Sequence, residues 1–126
     1  RTRANLDALL AQLAPLAGNT VVTGCVSDPT VPAGALVINA TSAGLKPTDP
    51  LPIDLAALPR PAGVYDMIYN PPETPLLAQA RALGIPAANG LSMLVHQGVR
   101  ALEIWSEAAV PVEAMRTAVK AAMAAR

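Results

Sequence analysis

Apolar residues at helical spacing open the chain: Leu6, Leu9, Leu10, Leu13 and Leu16 predict an amphipathic helix from Arg3 to about Ala14, ending near Pro15 and Gly18. The pattern then shortens. Thr20 to Thr23 reads as a brief strand, and Ala35 to Ala40 is a compact apolar run of the kind a parallel sheet buries on both faces. Thr41-Ser42-Ala43-Gly44 turns the chain there, and a proline-rich excursion from Pro47 to Pro61 holds one helical turn at Asp54 to Leu58. Val64 to Ile68 is rich in β-formers, and Pro71 and Pro72 remove two backbone donors from the loop that follows. Glu73-Thr74-Pro75 opens a helix running to about Leu83, which Gly84 stops before a short strand at Ile85 to Ala88. Ser92 to Trp105 is the strongest helical segment, and Val112 to Ala125 forms an alanine-rich helix.

Strands alternating with helices predict an α/β fold: a Rossmann-like parallel sheet with flanking helices. Such sheets bind ligands beyond the C-terminal ends of their strands. Asn39 to Ser42, Tyr69 to Pro72 and Asn89-Gly90 all fall at such ends, so three loops are expected to converge on one crevice.

Composition narrows the classes of function. With 126 residues, 52% of them hydrophobic, and nine basic residues balancing nine acidic ones, the chain has the make-up of one soluble domain. The charges form no run, and two tyrosines, one tryptophan and no phenylalanine offer no stacking platform, so nucleic acid is not an expected partner. No apolar stretch approaches the roughly 20 residues of a membrane span, and the cytoplasm is the default compartment. Cys25, the single cysteine, reads as a small, partly buried residue rather than a reactive thiol. His96 is the single histidine, so no metal site is expected.

A dinucleotide fold opens on a strand, a Gly-x-Gly-x-x-Gly turn and a helix, because only glycine lets the backbone close on the pyrophosphate. The eight glycines here are dispersed and make no such turn. The chain also opens on Arg1 rather than methionine, which reads as a piece of a longer polypeptide.

Four blocks, in order and with matching gaps, resemble the shikimate dehydrogenase family. They are Asn39-Ala40-Thr41-Ser42-Ala43-Gly44-Leu45, Tyr65-Asp66-Met67-Ile68-Tyr69, Thr74-Pro75-Leu76-Leu77, and Asn89-Gly90-Leu91-Ser92-Met93-Leu94-Val95-His96-Gln97. The resemblance covers almost the whole chain and matches the family's C-terminal half. It implies residues 1–126 of an NADP-binding Rossmann-like domain, with the N-terminal substrate domain and the glycine-rich turn outside this chain. The implied activity is reversible reduction of 3-dehydroshikimate to shikimate by NADPH, in the chorismate pathway of aromatic amino acid biosynthesis. The family's catalytic lysine and aspartate lie in the N-terminal domain, so the resemblance assigns no catalytic acid or base here, and the 126 residues alone are expected to be inactive.

Residue by residue, Gln97 matches the glutamine that hydrogen-bonds a shikimate hydroxyl, and Tyr69 a tyrosine lining the same pocket. Gly90 and Met67 match positions meeting the nicotinamide half of the cofactor, and Thr41 and Ser42 the loop beneath it. Met93, one helical turn before Gln97, is expected to wall the cleft. Arg1 and Thr2 look like the end of the family's Asn-Arg-Thr motif, which holds the adenosine 2′-phosphate. The motif's second arginine would fall at Asn5, with Arg3 as its substitute. Asp66 reads as ordering its loop by accepting backbone donors, and Glu73 as helix-start chemistry.

In the usual 3-2-1-4-5-6 strand order, the resemblance assigns this chain strands three to six and leaves out the central two. The Thr20 strand would then lack a neighbour and the Ala35 strand would expose an apolar edge, so the chain alone is expected not to fold stably. A cooperative thermal transition from these 126 residues would refute that. Three readings of function remain: shikimate dehydrogenase, quinate or dual quinate/shikimate dehydrogenase, and a noncatalytic nucleotide-binding module. The expected partners are the small-molecule substrate, the N-terminal half of the same protein and a second copy in a homodimer.

Overall fold

The computed structural model describes residues 2–25 and 31–125, in two compact units that divide at Pro32 and are taken separately. In the first unit, helix α1 spans Arg3–Leu13. Thr2 caps it, its hydroxyl accepting the Asn5 amide at 3.4 Å, and a single 3-10 turn at Ala14–Leu16 follows with Pro15 inside it. No residue of α1 is buried.

The strand expected at Thr20 to Thr23 does not form. A strand draws its backbone hydrogen bonds from a neighbouring strand, and this unit supplies none among its described residues. β-propensity in four residues cannot replace a partner.

In the second unit, three parallel strands lie in chain order: β1 (Leu36–Asn39), β2 (Gly63–Asp66) and β3 (Ala87–Asn89). Leu36 pairs with Gly63 and Asn39 with Asp66, while Val64 pairs with Ala87 and Asp66 with Asn89. The parallel α/β architecture expected from the sequence is therefore present.

Helix α2 (Pro75–Ala82) covers one sheet face. Leu76, Leu77 and Ala80 meet Val64, Ile85 and Leu55, the last from a 3-10 turn at Leu55–Ala57. Each fully buried leucine contributes about 1.5–3 kcal/mol relative to exposure. Thr74 starts α2 by accepting the Leu77 amide on its hydroxyl at 3.3 Å, and Pro75 takes the first position, where the missing N–H costs nothing. On the opposite face, Leu36 and Ile38 remain 62% and 57% exposed. Helices α3 (Leu91–Ser106) and α4 (Val112–Ala124) pack on each other, Met115 lying against Gly98.

Two strands are displaced from their expected limits. β2 ends at Asp66 rather than Ile68 because the Asp66 side chain itself accepts the Ile68 amide at 3.0 Å, bending the chain out of the ladder. β3 starts at Ala87 because the Ile85 amide is drawn back to the Ala80 carbonyl at 2.9 Å, closing α2, and Pro86 has no amide to give.

Candidate functional site at the strand C-terminal edge

Each of the three strands ends on a polar side chain that stitches the next loop in place. After β1, buried Asn39 accepts the Thr41 amide at 3.0 Å and the Thr41 hydroxyl at 2.7 Å on its oxygen. Its amide nitrogen donates to the Ala43 carbonyl and to Asp66, both at 3.1 Å. After β2, Met67 donates its amide to the Asn39 carbonyl at 3.0 Å, tying the second loop to the first. After β3, Asn89 donates to the Pro72 carbonyl at 2.9 Å and accepts the Leu91 amide at 3.1 Å, which starts α3. No buried side-chain polar atom among the described residues lacks a partner.

Gly90 joins the second and third loops. Its amide donates to the Ile68 carbonyl at 3.1 Å, and a Cβ on it would overlap the Met67 carbonyl oxygen and lie 2.6 Å from the carbonyl carbon. Only glycine permits that approach. Gly44, with φ +112°, closes the first loop against Thr74, and its amide donates to Asp49 at 3.1 Å. Asp49 also accepts the Lys46 amide at 3.0 Å, and these two backbone hydrogen bonds, Lys46 first, hold its carboxyl below the usual carboxylate range.

Between the first two loops lies a cavity of about 410 Å³ bordered by Thr41, Leu45, Met67, Tyr69 and Asn70, large enough for one aromatic ring with its amide substituent. A second cavity of about 340 Å³ shares Tyr69 and Asn70 and is bordered by Leu91, Lys120 and Met123. Thr41, Met67 and Tyr69 are thus brought together, and Gly90 abuts Met67. Gln97 and Met93 share a different surface, a shallow groove along α3 with His96, Arg100 and Ile104. Ser42 is exposed, and its carbonyl accepts the Leu45 amide at 3.3 Å.

The Thr41 hydroxyl is committed inside its loop, donating to Asn39 and accepting the Ala43 amide at 3.1 Å, and its backbone amide also donates to Asn39, which leaves its methyl to meet a ligand. In the first unit, Thr2 is occupied in capping α1, and Arg3 pairs with Asp7 at 2.9 Å in an exposed i,i+4 bridge of small energetic weight. Arg1 lies outside the described residues. Among the described residues no group of three or more His, Cys, Asp or Glu could hold a metal ion, and no helix is long and apolar enough to cross a membrane. Asn70 and Lys120 were not named as site residues from the sequence, and Asn39 and Thr74 only as part of a strand end and a helix start. A polar residue terminating an apolar run, as Asn39 and Asp66 do, was the signal for Asn39.

The model of the shikimate 5′-dehydrogenase C-terminal domain matches residues 90–120. Over 105 residues, 83% of its length, the chain is 46% identical to the shikimate dehydrogenase (NADP(+)) of Nitrobacter winogradskyi. Over most of its length this chain is similar to the C-terminal part of the shikimate dehydrogenases. It spans 36% of the Nitrobacter protein. Among solved structures, the shikimate 5-dehydrogenase of Thermus thermophilus, in complex with shikimate, superposes on 98% of the chain with a TM-score of 0.71 at 28% identity. The quinate dehydrogenase of Corynebacterium glutamicum, in complex with NAD, superposes on 94% with a TM-score of 0.73 at 27% identity. In each case 43% of the solved chain is covered. The shikimate dehydrogenase likeness runs through all four sequence blocks, and the strand ends described above lie in three of them.

Proposed function

We propose that this chain is the C-terminal, nicotinamide-side portion of an NADP-dependent shikimate dehydrogenase, acting on the shikimate/3-dehydroshikimate pair. The observation that carries the reading is the 46% identity to an NADP(+) shikimate dehydrogenase, extending across the loops whose Thr41, Met67 and Tyr69 surround one ring-sized cavity. Bound NADP would supply the hydride acceptor. Met67 and the Thr41 methyl are the apolar surfaces against which a nicotinamide ring would pack, with the Gly90 backbone beside them and Ser42 at the loop's outer edge. Arg1 and Thr2 are the residues we assign to the adenosine 2′-phosphate, an anion suited to a guanidinium and a hydroxyl.

Tyr69 on the cavity and Gln97 on the separate α3 groove are the proposed substrate contacts, each offering a hydrogen bond to a ring hydroxyl, with Met93 an apolar wall on the Gln97 face. Holding the alcohol carbon against the ring converts an encounter into an oriented, effectively unimolecular step. No acid or base is assigned within residues 1–126; that role falls to the lysine and aspartate that the family carries in its N-terminal domain. The single thiol, Cys25, is exposed rather than partly buried as its sequence suggested, and it fits a reducing, cytoplasmic setting.

A quinate-specific reading competes because the quinate dehydrogenase superposes as well as the shikimate enzyme does. Initial rates of the whole protein with shikimate and with quinate, each with NADP and with NAD, decide between them. The proposal requires the shikimate and NADP pair to give the highest kcat/KM; preference for quinate and NAD would replace it, and a noncatalytic module would give no rate with any pair.

A further inference from the structure

Asp66 is wholly buried, and among the described residues no cation pairs with it. Its carboxylate instead collects three donors from three different segments. Oδ1 accepts the Asn39 side-chain amide at 3.1 Å and the Ile68 backbone amide at 3.0 Å, and Oδ2 accepts the Thr74 hydroxyl at 2.6 Å. A carboxylate is an acceptor-only group, and every neighbour that reaches it is a donor. Asn39 continues the connection to Thr41 and Ala43, Ile68 to Met67 and Tyr69, and Thr74 to the first turn of α2.

A buried carboxyl of this kind is costly for a fold whose core could have used an apolar residue at the same site. What the carboxylate provides is fixed register between the loop after β1 and the loop after β2, the two walls of the 410 Å³ cavity. Hydrophobic packing alone would let those walls slide, since it has no direction. We propose that Asp66 is a positioning residue for the reaction, which through Asn39 and Ile68 sets the spacing between the Thr41 surface and the Met67–Tyr69 surface. The proposal rests on the dehydrogenase reading for its kinetic consequence, but not for its structural one.

The test uses the whole protein with Asp66→Asn, Thr74→Val and Thr74→Ser. Asp66→Asn keeps the shape and one acceptor oxygen while replacing the other with a donor that the Thr74 hydroxyl proton cannot use. Thr74→Val removes the same hydrogen bond from the other side, and Thr74→Ser retains it. Two readouts are taken: backbone amide hydrogen exchange, and kcat and KM for shikimate with NADP.

For Asp66→Asn and Thr74→Val, exchange at Thr41, Ala43 and Ile68 should rise about tenfold while Val37 and Val64 in the ladder stay unchanged. In the same variants kcat should fall roughly 10- to 100-fold with KM within about threefold, the pattern of misaligned reactants rather than lost binding. Thr74→Ser should restore both. A Thr74 that serves only as the α2 cap would alter exchange at Leu77 and leave Thr41 and Ala43 as they were, which overturns the proposal. So would unchanged kcat in a variant whose loops exchange faster. Should Asp66→Asn fail to fold, the two Thr74 variants decide alone. If the parent protein itself turns over no substrate, the dehydrogenase reading fails, and the exchange pattern at Thr41 and Ala43 still decides whether Asp66 sets the loops.

Discussion

Gly90→Ala is the substitution whose outcome the site geometry fixes most tightly. The added Cβ would fall inside the Met67 carbonyl oxygen, 2.6 Å from its carbon and 3.2 Å from Met67 Cα. These are backbone atoms, so no rotamer change relieves the overlap. Nor can the segment shift freely, because the Ile68 amide is held by Asp66 and its carbonyl by the Gly90 amide. Overpacking of this sort costs about 1–3 kcal/mol. Gly90 is also the N-cap of α3, where alanine is poorer than glycine by roughly 0.5 kcal/mol. Against this, Gly90 has φ −74°, which alanine adopts readily, so the smaller unfolded-state entropy returns about 0.4–1 kcal/mol. The net loss is about 0.5–3 kcal/mol. For a domain of this size that lowers Tm by roughly 2–10 °C, and the displaced Met67 should also raise KM for NADP. Thermal denaturation of the whole protein, with NADP kinetics, is the assay. A Tm within about 1 °C of the parent together with an unchanged Met67 amide shift would refute the close approach.

Removing the Gln97 side chain with Gln97→Ala should cost about 1–3 kcal/mol of transition-state binding, roughly 5- to 150-fold in kcat/KM for shikimate; unchanged shikimate kinetics would remove Gln97 from the site. Glu107, at the end of α3, holds φ +54°, a left-handed conformation that suits glycine, so Glu107→Gly should stabilise the protein by about 0.5–1 kcal/mol, visible as a higher denaturation midpoint. Asp49, whose folded pKa is depressed, contributes its stabilisation above the unfolded pKa and loses it as pH falls through the lower folded value. The amide resonances of Lys46 and Gly44 should therefore titrate together with a midpoint below the ordinary aspartate value of about 3.9.

The helices were legible because their signals are local. Thr74-Pro75 supplies both cap and first turn, and α3 and α4 carry apolar residues at helical spacing. The parallel sheet was legible from alternation of element types, yet its strand limits were not, since Asp66 and Pro86 decide them through hydrogen bonds that reach other segments. Thr20 to Thr23 failed as a strand for a related reason: a strand's energy lies in its partner, which no local pattern reports. At the site, the residues named from the sequence blocks divide into the Thr41, Met67 and Tyr69 group and the Gln97 and Met93 group. Spacing alone could not foresee that division, because it depends on which face α3 turns outward. Asp66 accepts a backbone donor in its own loop, as its sequence suggested, but its bonds to Asn39 and Thr74 were hidden, because only the register of β1 on β2 brings Asn39 beside it.

Whether the whole protein oxidises shikimate is read from absorbance in the NADPH band when shikimate is added with NADP present. A shikimate-dependent rise is expected, its rate saturating with both compounds and slowed by Gln97→Ala. A folded whole protein that gives no rise with shikimate, or that gives one only with quinate and NAD, would contradict that expectation.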